Sequence, residues 1–148
     1  AIPTRMTVRQ RGSINSTTAP NVEDMGPTTV IEGLTPQDFV RYAGASGDFN
    51  PIHYDERYAK ALGNPGVFGQ GMLTAGCAGQ FLANWFGLAN LGEFRTRFTA
   101  RVWPGDIIID GEVIGADNKP VDADIFVTRQ TGKKVLSGDI TAAVRGQS

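Results

Sequence analysis

The sequence predicts an α+β fold in which an antiparallel β-sheet wraps around one long central helix, and three observations predict it. Leu73, Cys77, Phe81 and Trp85 recur four residues apart between Gly71 and Phe86, the spacing of one helical face. The other side of that segment carries Met72, Ala75, Gly79 and Ala83 with no charged residue, so the helix is apolar nearly all round and belongs inside the protein. After it, Phe94, Thr96, Phe98, Ala100 and Val102 alternate with Glu93, Arg95, Arg97, Thr99 and Arg101, the period of a strand with one buried face. Turn sequences then punctuate the rest, as expected of an antiparallel meander.

Residues 1–27 are rich in Ser, Thr, Pro and Asn without apolar periodicity. They read as an arm or irregular lead-in to a single domain over 28–148, with Met6-Thr7-Val8 as a short edge strand. A β-prone run covers 28–32 and ends at Gly33. Thr35-Pro36-Gln37-Asp38 has the form of a helix start, with Thr35 as N-cap, Pro36 at N1 and Asp38 at N3. Phe39, Val40 and Ala43 give that helix its apolar side. A short helix is expected over 55–62, stopping at Gly63, and then the central helix from Gly71. The strands that follow are 93–103, 107–114, 121–129 and 134–144. They are separated by turns at Pro104-Gly105-Asp106, Asp117-Asn118-Lys119-Pro120 and Thr131-Gly132-Lys133, with a bend in the last strand at Gly138.

Composition narrows the function classes. A chain of 148 residues is long enough to bury a core. A net charge of −1 provides no bulk attraction to nucleic acid or an acidic membrane surface. One cysteine allows no internal disulfide and no thiol zinc cluster; mid-helix, Cys77 reads as a small core residue. The N-terminal residues hold no apolar core of signal-peptide type, and no apolar run approaches membrane-spanning length. A soluble, cytoplasmic protein is the expectation.

The chemistry concentrates in Tyr42-Ala43-Gly44-Ala45-Ser46-Gly47-Asp48-Phe49-Asn50-Pro51-Ile52-His53. It holds the only histidine, five residues after an aspartate. Pro51 pushes Asn50 out of the α region and the glycines loosen the chain before it. Such a bent loop can aim a carboxylate and an imidazole at one space, a pairing suited to moving a proton near neutral pH. Each residue also has a plainer reading. His53 alone would be a structural loop histidine, Asp48 a loop cap, Asn50 a turn-former before proline and Ser46 a loop hydrogen-bonder. Asp48, Asp55, Glu56 and His53 form no convincing metal-ligand pattern, so no metal is expected.

Ser46-Gly47-Asp48-x-Asn50-Pro51-Ile52-His53, followed by Ala59, resembles the signature of the MaoC-type dehydratases, the (R)-specific enoyl-CoA hydratases. Gly69-Gln70-Gly71-Met72-Leu73 and Val102-Trp103-Pro104-Gly105-Asp106 resemble that family's helix entry and its strand and turn, so the likeness covers roughly residues 28–145. The resemblance implies a hot-dog fold that pairs into dimers, as a homodimer or higher homo-oligomer or with a second, non-identical hot-dog chain. It implies reversible hydration of a trans-2-enoyl thioester, carried by CoA or acyl-carrier protein, to an (R)-3-hydroxyacyl thioester without a cofactor. In it Asp48 and His53 hold the water and the Gly71 N–H stabilises the enolate. Asn50, Ser46, Gln70 and Met72 orient or line the substrate.

Gln70 departs from the family, which usually has histidine before the helix glycine, and this puts the active-site edge in question. Gly71 also reads as a tight-packing glycine, and Met72 as core. Arg95, Arg97 and Arg101, expected on one strand face, meet either CoA phosphates or only solvent. Two competing readings stand beside the hydratase: an acyl-CoA thioesterase on the same fold, and a non-catalytic acyl-CoA-binding subunit of a hetero-oligomeric dehydratase.

Overall fold

A computed structural model describes residues 7–11, 24–116 and 120–143. Most of the lead-in and the turn at 117–119 lie outside the described residues. The strands are β1 (Thr7–Arg11), β2 (Thr28–Leu34), β3 (Leu91–Phe98), β4 (Gly105–Gly115), β5 (Val121–Arg129) and β6 (Lys134–Ala142). The helices are α1 (Pro36–Ser46), α2 (Glu56–Ala61) and α3 (Gly71–Phe86), with single 3₁₀ turns at Pro51–His53 and Leu88–Asn90. The strands form one antiparallel sheet in the order β1-β2-β4-β5-β6-β3. Among the described residues, no helix is long and apolar enough to cross a membrane.

Helix boundaries follow their local chemistry. Thr35 and Asp38 form a reciprocal capping box with Pro36 in the first turn, which satisfies amides that a helix start leaves without partners. Asp55 caps α2, and Gly63 beyond its end takes a left-handed φ of 87°. Along α3, Ala75, Ala78, Phe81 and Leu82 are buried against the sheet with Ile107, Ile109, Ile125 and Ile140.

Several expectations need correction. Val40 is exposed, so the apolar side of α1 narrows to Phe39 and Ala43. α3 is not covered all round: Met72, Gly76, Gln80 and Asn84 form an exposed stripe. β2 does not stop at Gly33. One extra residue bulges out between Ile31 and Leu34, with Gly33 at φ 61°, and the strand continues. The Asp106 carboxylate accepts the Gly33 N–H at 2.8 Å, which ties this bulge to the start of β4. β3 ends at Phe98 rather than 103, because Thr99 and Ala100 turn to donate to the Val135 carbonyl. The irregularity of β6 lies at Val135, not Gly138: Val127 pairs with Leu136 while Thr128 pairs with Lys134, which leaves Val135 as the extra residue.

The core closes on aromatic rings pressed against bare backbone. Phe81 and Trp85 pack edge to face at 5.7 Å. A Cβ on Gly111 would lie 2.6 Å from the Trp85 ring, and one on Gly26 would lie 2.7 Å from Phe81. Gly26 also donates to the Gly111 carbonyl at 2.9 Å, so two glycines form the floor under these rings. Cys77 is buried beside them, and burial pushes its thiol up to about 11, which leaves it protonated and unreactive at neutral pH. Gly111→Val is expected to lower stability by about 1–3 kcal/mol through overpacking. Gly44→Ala, in open space on α1, is expected to raise it by about 0.5–1 kcal/mol. Urea denaturation of both variants checks the contrast.

Candidate active site

The loop between α1 and α2 is built from its own polar side chains. Gly47 closes α1 in the left-handed region, φ 79°, and its N–H bonds to the Ala43 carbonyl. The Ser46 hydroxyl donates to the Tyr42 carbonyl at 2.8 Å and accepts the Asp48 N–H at 3.1 Å. Asp48 Oδ1 accepts the Asn50 N–H at 3.3 Å, and Asn50 Oδ1 accepts the Ile52 N–H at 3.1 Å. These successive Asx and Ser turns are what short polar side chains before a proline favour. Tyr54 then donates its hydroxyl to the Phe49 carbonyl at 2.7 Å. Ser46 and Asn50 therefore shape the loop, and Asp48 keeps one oxygen for it while Oδ2 remains available.

His53 is where the loop meets the rest of the fold. Its side chain is 10% exposed, against 49% for Asp48. Nδ1 lies 2.7 Å from the Phe68 carbonyl oxygen. A carbonyl can only accept, so Nδ1 carries the proton and, in the neutral ring, Nε2 carries the lone pair. Nε2 lies 3.8 Å from Asp48 Oδ2, too far for a direct hydrogen bond. Two acceptors thus face one another across a gap of the kind that a bridging water fills, one O–H to each.

Phe68 was not foreseen as a site residue. It is held by an edge contact from its ring to His53 at 5.2 Å, another to Trp103 at 5.9 Å and the Arg101 guanidinium 5.2 Å over its face. Gly69 donates to the Val102 carbonyl at 2.8 Å, which fastens this segment to the chain beyond β3.

The start of α3 lies two residues further on. Phe68, Gly71, Thr74, Phe98, Arg101 and Val102 are among the residues lining a cleft of about 410 Å³. As the first residue of α3, Gly71 has an N–H with no intrahelical partner, at the positive end of the helix dipole. The Phe98 ring stands 3.2 Å from where a Gly71 Cβ would project, so close packing and a free amide coexist there. Met72 points outward, 62% exposed, instead of joining the core. Gln70 does not line this cleft: it is 1% exposed, and its amide reaches the Phe39 carbonyl in α1 at 2.8 Å. The three arginines do not share one face, although Arg95 and Arg97 line one cleft together. Arg101 lies beyond the strand end over Phe68. Arg95 and Arg97 occupy the opposite face of β3 from Phe94 and Phe98, and Arg95 is paired with Glu93 at 2.7 Å.

Comparison with known proteins bears on the family and the fold. The chain is 30% identical over 125 residues to a peroxisomal hydratase-dehydrogenase-epimerase of Neurospora crassa, covering 83% of this chain and 13% of that protein. It is 35% identical over 94 residues to the 3-hydroxyacyl-thioester dehydratase Y of Mycobacterium tuberculosis, covering 61% of this chain and 32% of that one. The chain thus spans a third or less of the length of these curated relatives. Its fold superimposes on the R-hydratase PhaJ1 from Pseudomonas aeruginosa with a TM-score of 0.77 at 22% identity, over 95% of this chain and 90% of that one, so the sheet around α3 is a hot-dog fold. The MaoC like domain model matches residues 15–136, and the chain belongs to that family.

Proposed function

We propose that this chain catalyses reversible hydration of a trans-2-enoyl thioester, carried by CoA or acyl-carrier protein, to the (R)-3-hydroxyacyl thioester. The observation that carries the reading is the pair of acceptors, His53 Nε2 and Asp48 Oδ2, facing across 3.8 Å with Nδ1 held by Phe68. A water between them gives one hydrogen to each and turns a lone pair of its oxygen toward the substrate. The oxygen bonds to C3 while one proton passes to His53 Nε2. The C2–C3 π pair moves toward the thioester, which becomes an enolate, and the Gly71 N–H together with the α3 dipole stabilises its oxygen. The proton then returns from His53 to C2. Net, one water adds H at C2 and OH at C3, with nothing oxidised or reduced; dehydration is the reverse. The steps use only the chain's own groups and require no cofactor or metal, and a cytoplasmic setting fits such water-borne substrates.

The partner in this reading is a second copy of the chain. β3 is an edge strand whose outer N–H and C=O groups have no strand beside them among the described residues, a ready template for pairing. Phe98, the last residue of this strand, is 49% exposed, and Met72 in the first turn of α3 is 62% exposed. Phe98 also lines the cleft, which places an exposed apolar ring at its margin.

Hydration of crotonyl-CoA and of a longer trans-2-enoyl-CoA, followed at the enoyl thioester absorbance, tests the chemistry. Asp48→Asn and His53→Ala are each expected to lower the rate by about 10²–10⁴-fold. Release of free thiol, which hydration does not produce, would identify a thioesterase instead. Activity unaffected by both substitutions would contradict the mechanism. For the partner, sedimentation should give twice the protomer mass, reduced to one protomer by Phe98→Glu. A monomeric wild type would overturn the homodimer and direct the search to a non-identical hot-dog chain.

A further inference from the structure

Gln70 occupies the N-cap of α3, yet its side chain caps nothing. Instead Nε2 donates to the Phe39 carbonyl, 31 residues earlier, at 2.8 Å. Oε1 is buried without a hydrogen-bond partner among the described residues. For stability alone this is a poor arrangement. The Phe39 carbonyl already receives the Ala43 N–H of its own helix, so a second donor adds little. A buried amide oxygen without a partner has given up its hydration for nothing. A methionine would fill the same space without that loss.

What the bond supplies is placement. The segment before α3 grips Phe39 twice, by the Gln70 amide on its carbonyl and by Gly69, whose missing Cβ would lie 3.0 Å from its ring. Phe39 lies in the first turns of α1, and α1 runs directly into the Asp48 loop, to which Gly47 and Ser46 fasten it. Gln70 itself precedes Gly71. One side chain therefore spans the two elements that carry the carboxylate and the amide.

We infer that Gln70 is a positioning residue, whose bond to the Phe39 carbonyl holds the α1–Asp48 unit in register with the Gly71 amide at the start of α3. The inference rests on the hydratase reading, in which those two groups serve one reaction. Gln70→Met removes the donor and the orphaned acceptor together while keeping the volume. Gln70→His replaces the donor with a ring N–H of similar reach.

The full chain and both variants would be compared for kcat, KM and Tm, and for the backbone amide resonances of Asp48 and Gly71. Gln70→Met should keep or raise Tm, leave KM within about twofold and lower kcat by about tenfold or more, since small misplacements of reacting groups are costly. Its Asp48 and Gly71 resonances should move, and Gln70→His should recover most of the rate. Unchanged kcat and resonances in Gln70→Met would overturn the inference. So would Tm and kcat falling together without recovery in Gln70→His, the mark of a merely structural residue. A wild type that turns over no enoyl thioester would sink the hydratase reading alone, because the resonances still decide whether Gln70 couples the two elements.

Discussion

The hydrogen bond from His53 Nδ1–H to the Phe68 carbonyl, 2.7 Å long, is the constraint on which the site depends. It determines which nitrogen carries the proton, which way the ring faces, and therefore what the Asp48 carboxylate confronts. A carbonyl is an effective orienter only if its own peptide is immobile. Gly69 on the Val102 carbonyl, the Arg101 guanidinium on the Phe68 ring and the Trp103 edge provide that immobility. The tautomer of one imidazole is thus set by backbone fastened to the chain that leads from β3 into β4.

The rest of the fold serves this placement at different distances. The Asp48 loop is stiffened by successive side-chain-to-backbone bonds, so ordering it draws on local groups and little on the core. The sheet and α3 contribute rigidity: aromatic rings against bare glycine backbone leave the helix little room to shift. With α3 so held, its first amide is presented at one place beside the cleft. The proposed chemistry needs nothing stronger than these oriented groups, since it moves one proton and stabilises one developing charge.

Much of this was legible in the sequence, for physical reasons. The bounds of α3 followed from an uncharged run with four-residue spacing, and the start of α1 from a capping box and a proline. The Asp48 and His53 pair stood out because the histidine is unique and lies behind Gly and Pro breakers. Phe68 did not, because it acts through its carbonyl, which every residue type has. The end of β3 was misjudged because Val102 is buried without belonging to a strand, so apolar alternation outlasts the ladder. Val135 and Leu136 are both buried in sequence, a bulge that only pairing reveals. Gln70 carried a signal, a departure from the family's histidine, but not its meaning, which lies in a partner 31 residues away.

The central claim is most directly tested by long-range ¹H–¹⁵N NMR on imidazole-labelled protein, where the single histidine makes assignment unambiguous. The account predicts that the neutral form of the ring carries its proton on Nδ1, with Nε2 showing the shift of an unprotonated nitrogen. A ring protonated mainly at Nε2 would contradict it, because the lone pair would then face the Phe68 carbonyl and no base would confront the water.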